Sequence, residues 1–420
     1  MKSIAVIGGG ITGVTTAYAL AKRGFTVSLF EKHRYAAMET SFANGGQLSA
    51  SNAEVWTHWS TILKGLKWML KSDAPLLVNP TPSWHKLSWF AEFIANIPQY
   101  RQNTVETARM AVAAREHLFA WAAAEGVDFD LKKEGILHIY RDKKGFDHAG
   151  EVSKLLAAGG LPRRAVTPAE MRAIEPTLAG NYYGGYYTES DSTGDIHKFT
   201  VGLANAIERL GVRCFYGQDV LALQSDDETA SVTTSGGTSG TSQTHRFDGL
   251  VVCAGVSSRA FAAQLGDRVN IYPVKGYSIT VNLLDKQSQE AAPTVSLLDD
   301  ETKLVTSRLG IDRFRVAGTA EFNGYNKDIR ADRIRPLVDW VNQCFPDVNT
   351  RQVVPWAGLR PMMPSMMPRV GRGRSANVFY NTGHGHLGWT LSAVTADMIA
   401  GTVKRAFDTR GCVPLQFQSA

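Results

Sequence analysis

Cysteine is scarce in this 420-residue chain, which contains Cys214, Cys253, Cys344 and Cys412. No two of them form a C-x-x-C pair, so neither a zinc site nor a redox-active dithiol is indicated. Few and scattered cysteines are typical of proteins from a reducing compartment, and we expect these four to be small buried hydrophobic residues. This composition favours a cytoplasmic location.

Long apolar runs and clusters of basic residues are also missing. No stretch of about 18 apolar residues occurs, so no transmembrane helix is predicted. No run of five Lys or Arg residues occurs, and a net charge of +6 makes the chain only mildly basic. Nucleic-acid binding is therefore not expected, because it requires a concentrated basic patch.

Glycine, by contrast, is abundant, with 39 residues, and three of them are consecutive near the N-terminus. Residues 3–7 predict a buried strand, and residues 11–23 carry apolar side chains at helical spacing. Gly24 ends this helix, and residues 26–30 predict a second strand. The resulting strand–helix–strand unit predicts a right-handed crossover.

The turn inside this unit, residues 8–13, reads G-G-G-I-T-G and matches the pattern G-x-G-x-x-G. Between a strand and a helix, this pattern is typical of a dinucleotide site. Gly8 permits the turn, Gly10 lets the backbone approach a pyrophosphate, and Gly13 lets helix and strand pack closely. The first helical residues would turn free N–H groups towards the phosphates. They are Ile11 and Thr12.

An acidic residue ends the second strand. Glu31 lies 18 residues after Gly13, where a carboxylate accepts hydrogen bonds from a ribose diol and repels a 2′-phosphate. The alternative is a glycine turn that binds no ligand. The complete strand, turn, helix and acidic residue together favour a dinucleotide site.

Between FAD and NAD, several features favour FAD. They are the N-terminal position of the motif, the adjacent Lys32, and a β-rich stretch over 212–254. At the end of that stretch, Ala254 and Gly255 would let the backbone pass the nucleotide. Val220 would meet the adenine with main-chain groups.

Further along the chain, hydrophobic periodicity predicts a series of helices and strands. The predicted helices lie at 58–71, 83–96, 104–125, 152–158, 168–174, 199–210, 330–345 and 388–405. The predicted strands lie at 136–140, 182–188, 212–216, 220–224, 230–234, 250–254, 277–283, 304–308, 313–317 and 378–381. A polar, glycine-rich segment at 235–244 predicts a flexible loop tip.

A second glycine-rich turn, residues 381–390, precedes the last predicted helix. The helix N-terminus there would stabilise the negative charge of a reduced flavin. The predicted cofactor contacts in this turn are Gly383, Gly385, Leu387, Gly388, Trp389 and Thr390. A plain turn into a surface helix is the alternative, which Trp389 and the two histidines His384 and His386 disfavour. No metal is expected, because two histidines so spaced on a turn are a poor metal pair.

Five segments carry a family resemblance: 7–14, 39–49, 272–280, 356–362 and 381–390. In this order they resemble the glycine/D-amino-acid oxidase superfamily of flavoproteins, and within it the small subunits of bacterial D-amino-acid dehydrogenases. The resemblance implies an α/β fold with two parts. One is a glutathione-reductase-like Rossmann domain that binds FAD, and the other is a substrate domain with a mixed, mostly antiparallel sheet.

The resemblance also implies domain limits and further cofactor contacts. The FAD-binding domain would comprise residues 1–55, 145–180, 196–260 and 351–420, and the substrate domain residues 56–144, 181–195 and 261–350. Segment 39–49 would lie along the pyrophosphate and the flavin. Its predicted contacts are Thr40, Ser41, Asn44, Gly46, Gln47 and Leu48.

One segment departs from the family pattern. After Arg360 and Pro361 the family usually has P-D-G-x-P, whereas residues 363–368 of this chain read M-P-S-M-M-P. Ser365 and Met366 replace a small polar turn beside the flavin edge. The substrate, and the balance between dehydrogenase and oxidase, therefore stay open at this point.

The activity that the resemblance implies is hydride transfer from the α-carbon of a D-amino acid to flavin N5. The imino acid then hydrolyses to a 2-oxo acid and ammonia. Such a substrate presents a carboxylate, and Arg360 is the candidate bidentate clamp. Tyr277 would donate its hydroxyl to the same carboxylate, with packing as the alternative. His384 would stabilise the reduced flavin or approach the substrate, and Tyr325 is a weaker pocket candidate.

The electrons would then pass to a quinone or to an electron-transfer partner. Residues 55–100 are rich in Trp and Lys, which would suit peripheral contact with the inner face of the cytoplasmic membrane. A pocket lid or a dimer surface is the alternative role for this stretch.

Three competing functions remain at this stage. The first is oxidation of a secondary or cyclic amino acid such as sarcosine, glycine, D-proline or D-hydroxyproline, which shares every motif above. The second is an NAD-linked dehydrogenase, and the third is a flavin-binding protein without catalysis. A yellow protein would exclude the second, and bleaching of its flavin by an amine would exclude the third.

Overall fold

The computed structural model of the chain describes residues 1–68, 75–226, 228–235 and 241–411. Within them the strands are β1 (Ser3–Ile7), β2 (Thr26–Glu31), β3 (Gln47–Leu48), β4 (Leu76–Val78), β5 (Ile136–Tyr140), β6 (Arg164–Val166), β7 (Gly184–Thr188), β8 (Ser192–Thr193), β9 (Arg213–Tyr216), β10 (Val220–Ser225), β11 (Ala230–Thr234), β12 (Gln243–Phe247), β13 (Gly249–Val252), β14 (Tyr272–Asn282), β15 (Ser296–Asp299), β16 (Leu304–Leu309), β17 (Arg313–Phe322), β18 (Val353–Met362), β19 (Arg369–Arg372) and β20 (Val378–Thr382). The helices are α1 (Ile11–Ala21), α2 (Trp59–Trp68), α3 (Trp84–Ala95), α4 (Tyr100–Glu125), α5 (Lys143–Ala158), α6 (Pro168–Ile174), α7 (Ile196–Arg209), α8 (Ser258–Gln264), α9 (Lys286–Ala291), α10 (Ala331–Cys344) and α11 (Gly388–Gly411). Cys412, and parts of the predicted helix 58–71 and loop tip 235–244, lie outside the described residues.

The first large sheet has six strands in the order β19-β20-β13-β1-β2-β9. Around the central β1, the neighbours β2 and β13 run parallel to it, as do β9 and β20 further out, while β19 is antiparallel at one edge. Both faces of such a sheet are covered, which explains why its central strands are almost continuously apolar. Ile4, Ala5 and Val6 are accordingly fully buried. This sheet confirms the predicted Rossmann-type unit.

Helices α1, α7 and α11 cover one face of this sheet, with Val14, Leu203 and Ile399 in the shared core. The other face carries α8 and the antiparallel strands β10, β11 and β12, packed around Phe30 and Val232. Residue 24 is a glycine with φ +84°, and it stops α1 as the sequence predicts.

The second large sheet has nine strands, in the order β18-β14-β17-β16-β15-β5-β7-β6, with β4 added beside β17. Two of its pairings, β15 with β5 and β17 with β4, are parallel, and the rest are antiparallel. Helix α10 packs on one face through Leu337 and Val341 against Ile279. The opposite face meets the loop before β3, where Ser278 Oγ donates to the Ala43 carbonyl (2.8 Å). The predicted mixed, mostly antiparallel sheet is thus confirmed.

The structure contains several elements that the sequence analysis did not predict, among them strands β4, β6, β15, β18 and β19 and helices α8 and α9. Strand β12 overlaps the end of the predicted loop tip 235–244, and α5 begins nine residues before the predicted helix 152–158. Strand β18 was missed because Pro355, Gly358 and Pro361 are turn signals. It lies at the edge of its sheet, where proline is tolerated.

The predicted domain limits and the sheets disagree at two strands. Residues 145–180 and 351–420 were assigned to the FAD-binding domain, yet β6 and β18 hydrogen bond within the nine-stranded sheet. Elsewhere the predicted division stays a prediction. Among the described residues, no helix is both long enough and apolar enough to cross a membrane.

Candidate active site

A cavity of about 830 Å³ lies between the two large sheets. The predicted cofactor contacts line it, with the exceptions of Gly13 and Leu48. The predicted catalytic residues also border it, namely Arg360, Tyr277, His384 and Tyr325. The fold therefore brings segments from both ends of the chain to one site.

The first glycine turn has little room for side chains. Gly8 has φ +108°, and a Cβ there would lie 2.8 Å from the Cys253 carbonyl oxygen. A Cβ on Gly13 would lie 1.8 Å from the Gly8 carbonyl oxygen, so a larger residue would push α1 away from the turn. Gly10 instead faces the cavity, with Ser41 Oγ 3.5 Å from its Cβ position. The geometry agrees with the roles predicted for the three glycines.

Glu31, at the end of β2, borders the cavity beside this turn. Its carboxylate accepts hydrogen bonds from the backbone N–H groups of Gly9 (2.7 Å) and His33 (2.9 Å). Carboxylate oxygens each accept more than one bond, so the side chain is held in place with capacity left for a ribose diol. The other predicted contacts at this end of the cavity are Lys32, Val220, Ala254 and Gly255.

Segment 39–49 crosses the cavity wall and is shaped by hydrogen bonds of its own side chains. These bonds run from Thr40 Oγ1 to the Leu359 carbonyl (2.9 Å), from Ile11 N to Ser41 Oγ (3.0 Å) and from Gly46 N to Asn44 Oδ1 (2.9 Å). Three side chains that we predicted as cofactor contacts therefore already hold the loop in its conformation.

The side chain of Leu48 is buried in the core beneath the cavity, which leaves its backbone as the group for the predicted cofactor contact. Side chains alternate along a strand, so Gln47, which precedes it in β3, lines the cavity instead. Gln47 Nε2 donates to Ser296 Oγ (2.7 Å), which fixes the orientation of the amide.

Four buried polar atoms on residues that line the cavity have no hydrogen-bond partner among the described residues. They are Gln47 Oε1, Thr319 Oγ1, His386 Nδ1 and the indole nitrogen Nε1 of Trp389. Burying such atoms without a partner is unfavourable, so the wall is suited to a polar group that occupies the cavity. Together with the glycine turn and Glu31, these atoms fit FAD as the occupant of the cavity.

The second glycine turn, between β20 and α11, runs along the same cavity, and Gly388 begins α11 there. The imidazole of His384, however, faces α11. Its Nε2 lies 2.9 Å from Thr395 Oγ1, and that hydroxyl lies 3.1 Å from the Leu391 carbonyl. Burial lowers the pKa of His384 to about 3. The ring is therefore neutral in this environment, and its predicted role, stabilising the reduced flavin or approaching the substrate, stays a prediction.

Arg360 lies on β18, and its guanidinium occupies the space above Gly276 of β14. A Cβ on Gly276 would be 2.3 Å from Arg360 Cζ, so only glycine leaves room for this arrangement. Arg360 Nη1 donates to the Thr319 carbonyl (2.7 Å). Burial lowers the pKa of Arg360 to about 10, and no carboxylate pairs with it in the described part of the chain. The side chain is thus positioned to bind an anion within the cavity.

The hydroxyl of Tyr277 has a hydrogen-bond partner within the protein. It donates to Glu321 Oε2 (2.7 Å), and the Tyr277 ring lies beside Arg333 of α10. Alternation along β14 places Gly276 and Ser278 towards the cavity and the Tyr277 side chain on the opposite face. Burial, together with the neighbouring Glu321 carboxylate, raises the pKa of Tyr277. These contacts favour the alternative, a packing role, and the predicted contact of the hydroxyl with the substrate carboxylate stays a prediction.

Tyr325 borders the cavity at its surface, where its side chain is 54% exposed and its hydroxyl lies 3.5 Å from the Val256 carbonyl. Sequence reasoning did not assign a site role to His386, whose ring stacks on Trp56 with centroids 4.9 Å apart. Burial, and then the charge of Arg360, lower the pKa of His386 to about 4. The G-H-G-H spacing was a signal for this residue, but it was assessed only as a metal pair.

Comparison with known proteins supports the same assignment as the geometry of the site. Residues 3–402 match the family described as FAD dependent oxidoreductase. The chain is 62% identical over 403 residues to D-amino acid dehydrogenase 3 of Mesorhizobium japonicum, covering 96% of this chain and 97% of that protein. It is 40% identical to D-amino acid dehydrogenase of Paramagnetospirillum magneticum, covering 95% of each chain.

Solved structures with similar folds include glycine oxidase from Geobacillus kaustophilus, with a TM-score of 0.72 at 21% identity, covering 96% of this chain and 95% of that one. L-proline dehydrogenase from P. horikoshii has a TM-score of 0.75 at 17% identity, covering 99% of this chain and 95% of that one. At these identities the likeness concerns the fold. With a family match along nearly its whole length, the chain belongs to the DAO family of FAD-dependent oxidoreductases.

Proposed function

We propose that this protein oxidises D-amino acids to imino acids, which hydrolyse to 2-oxo acids and ammonia. The observation that carries the proposal is Arg360, a guanidinium inside the cofactor cavity with a backbone carbonyl as its hydrogen-bond acceptor. An α-amino acid offers the planar carboxylate that such a group binds with two hydrogen bonds. Relatives named D-amino acid dehydrogenase support the choice of substrate.

The protein contributes mainly orientation and electrostatics. FAD supplies the acceptor for the hydride that leaves the α-carbon. Arg360 would hold the carboxylate, and the Thr319 carbonyl steadies the guanidinium. The N-terminus of α11 at Gly388 presents positive partial charge to the cavity, which favours negative charge there. Positioning of this kind accounts for large rate effects without an acid–base residue.

The experiment that tests this function is anaerobic bleaching of the flavin absorbance of the purified holoprotein. The panel contains D- and L-amino acids, glycine, sarcosine and D-proline. Bleaching by D-amino acids and not by their L-enantiomers is the expected result. Bleaching by secondary amines alone would replace the proposal with oxidation of secondary or cyclic amino acids, and a flavin that no amine bleaches would refute catalysis altogether.

We further propose that the reduced protein passes its electrons to a quinone at a membrane surface. Helix α3 exposes an apolar stripe, in which Trp84 is 81%, Leu87 54% and Ile94 45% exposed. These positions lie on one face of the helix. The neighbouring α2 exposes Trp59 and Leu63 in the same way, and both helices border the cavity. An amphipathic surface with such residues suits the lipid headgroup region.

Vesicle sedimentation tests this contact. The holoprotein is mixed with vesicles of anionic and zwitterionic lipid, and the double variant Trp84→Ser, Leu87→Ser is compared with the control Leu284→Ser, Ile311→Ser, whose original side chains are also exposed but lie elsewhere. Only the first variant is expected to lose vesicle binding. Equal binding by both variants would show that the α3 stripe does not meet the membrane. Anaerobic reoxidation by a soluble quinone tests the acceptor separately.

A further inference from the structure

One part of the cavity is walled almost entirely by large apolar side chains. We call it the aromatic lobe and define it by six lining residues: Trp56, Ile62, Leu76, Trp89, Phe90 and Phe322. They come from α2, β4, α3, the end of β17 and the segment before α2. The rings pack on one another, with centroids of Trp89 and Phe322 5.2 Å apart, as are those of Phe90 and Phe322.

Two strands, β17 and β18, connect the lobe to Arg360. Arg360 is bonded to the carbonyl of Thr319, and the next cavity-facing residues along β17 are Ala320 and Phe322. Two residues beyond Arg360 on β18, the Met362 carbonyl accepts a hydrogen bond from the Trp89 indole (2.9 Å). A ligand whose carboxylate is held by Arg360 therefore has the lobe directly beside it.

The lobe presents little that would bind a polar side chain. The Trp89 indole N–H is already satisfied by the Met362 carbonyl, and none of the six lobe residues is charged. Glu54, which also borders the cavity, accepts a hydrogen bond from Tyr100 (2.6 Å) and lies 3.6 Å from His148. A charged substrate group placed among the lobe residues would lose its hydration without gaining a partner there.

We propose that the aromatic lobe seats the side chain of the substrate and selects D-amino acids with large apolar or aromatic side chains. This assignment rests on the proposed oxidation of D-amino acids and adds the substrate class. Its physical basis is the burial of apolar surface, which favours a larger apolar side chain as long as the lobe can enclose it.

The test measures the substrate dissociation constant from anaerobic flavin bleaching of the wild-type holoprotein with D-alanine, D-leucine, D-phenylalanine, D-tryptophan, D-glutamate and D-arginine. D-Phenylalanine is expected to bind about 10- to 100-fold more tightly than D-alanine, as expected for one large apolar group in a matching pocket. Equal or tighter binding of D-alanine, D-glutamate or D-arginine would overturn the lobe proposal while leaving the oxidation of D-amino acids intact. A flavin that none of the six bleaches would refute the proposed function instead.

A variant and a matched control locate the effect in the lobe. Phe90→Ala removes a half-buried ring of the lobe wall, and Phe119→Ala removes a half-buried ring of α4, which does not line the cavity. Phe90→Ala is expected to reduce the ratio of D-phenylalanine to D-alanine affinity about 10-fold. Phe119→Ala is expected to preserve that ratio. If both variants preserve it, Phe90 does not contact the substrate, and the wild-type substrate series remains decisive should Phe90→Ala fail to fold.

Discussion

At the scale of single residues, the central feature is a half-buried arginine in the cavity wall whose charge is left for a ligand. Burying a guanidinium without a carboxylate is costly, and the low pKa of Arg360, about 10, expresses that cost. The cost is tolerated where binding of an anion offsets it. The lack of a carboxylate partner separates Arg360 from arginines such as Arg313, which pairs with Asp130 and Asp195.

Arg360→Ala is expected to weaken substrate binding about 100-fold, because roughly 3 kcal/mol of charged hydrogen bonding is lost. Arg360→Lys should fall between this variant and the wild type, since an amine keeps the charge but loses the bidentate geometry. The dissociation constant from anaerobic bleaching measures both. The exposed Arg351→Ala is the control, and unchanged affinity in Arg360→Ala would remove Arg360 from the site.

Tyr277→Phe is expected to reduce stability and to leave substrate affinity as it is. The variant deprives Glu321 Oε2 of its hydrogen-bond donor on the face of the sheet turned away from the cavity, at a cost of about 1–2 kcal/mol. Thermal unfolding measures the first effect and anaerobic bleaching the second. A loss of affinity comparable to that of Arg360→Ala would restore the predicted role of the hydroxyl in binding the carboxylate.

Another residue shows how a departure from the family pattern is accommodated. Met366, in the segment that replaces the usual P-D-G-x-P, has a positive φ of +64°. Such a conformation is unfavourable for methionine. Its side chain is buried with Trp89 and Met362, which compensates for the backbone strain and links the turn to the aromatic lobe.

At the scale of elements, the unit β1–α1–β2 depends on contact between the glycine turn and the helix. Gly13→Ala places a Cβ 1.8 Å from the Gly8 carbonyl oxygen, so α1 must shift. We expect a loss of about 1–3 kcal/mol in stability and purification with little bound FAD. The flavin-to-protein absorbance ratio and thermal unfolding measure these effects.

Gly401→Ala is the matched control for this variant. Gly401 lies within α11, and its Cβ would be 3.5 Å from the Arg405 side chain, an ordinary contact. Alanine is the better helix former, so this change is expected to retain FAD and to raise stability slightly. If Gly13→Ala retained FAD as well as Gly401→Ala does, close packing at the turn would not be needed for the cofactor.

At the scale of the whole molecule, a histidine buried in neutral form couples folding to pH. The pKa of His384 is lowered from 6.5 to about 3 by burial. Between these values the unfolded chain binds a proton that the folded chain does not, so stability falls as the pH decreases from 6.5 towards 3. Where the unfolded chain binds one full proton more than the folded chain, His384 changes the free energy of unfolding by about 1.4 kcal/mol per pH unit.

Urea unfolding at several pH values between 4 and 7 measures this slope. His384→Gln cannot titrate, yet its amide can donate to Thr395, so the variant is expected to lose less stability on acidification than the wild type does. The pKa of His386 is lowered to about 4, so His386 also reduces stability on acidification, in the wild type and in the variant alike. Parallel curves for the two proteins would show that His384 is already protonated in the fold or exposed.

The local sequence predicts those features that are determined by residues close to one another in the chain. The turn at 8–13, the strand and helix around it, and Glu31 follow from the conformational freedom of glycine and from hydrophobic periodicity over about 30 residues. The same holds for α6, whose bounds Pro168–Ile174 agree with the prediction. There, Pro168 at the first helical position and the capping residue Thr167 mark the helix start.

The remaining features depend on contacts between segments far apart in the chain. The pairing of β18 with β14 places Arg360 above Gly276, and the register of β14 directs Tyr277 towards α10. The aromatic lobe is assembled from the segment before α2, from α2, β4 and α3, and from the end of β17. Strand register and packing determine which side chains meet across such distances. Register and packing are set by burial and hydrogen bonding throughout the fold, so no local sequence pattern predicts these contacts.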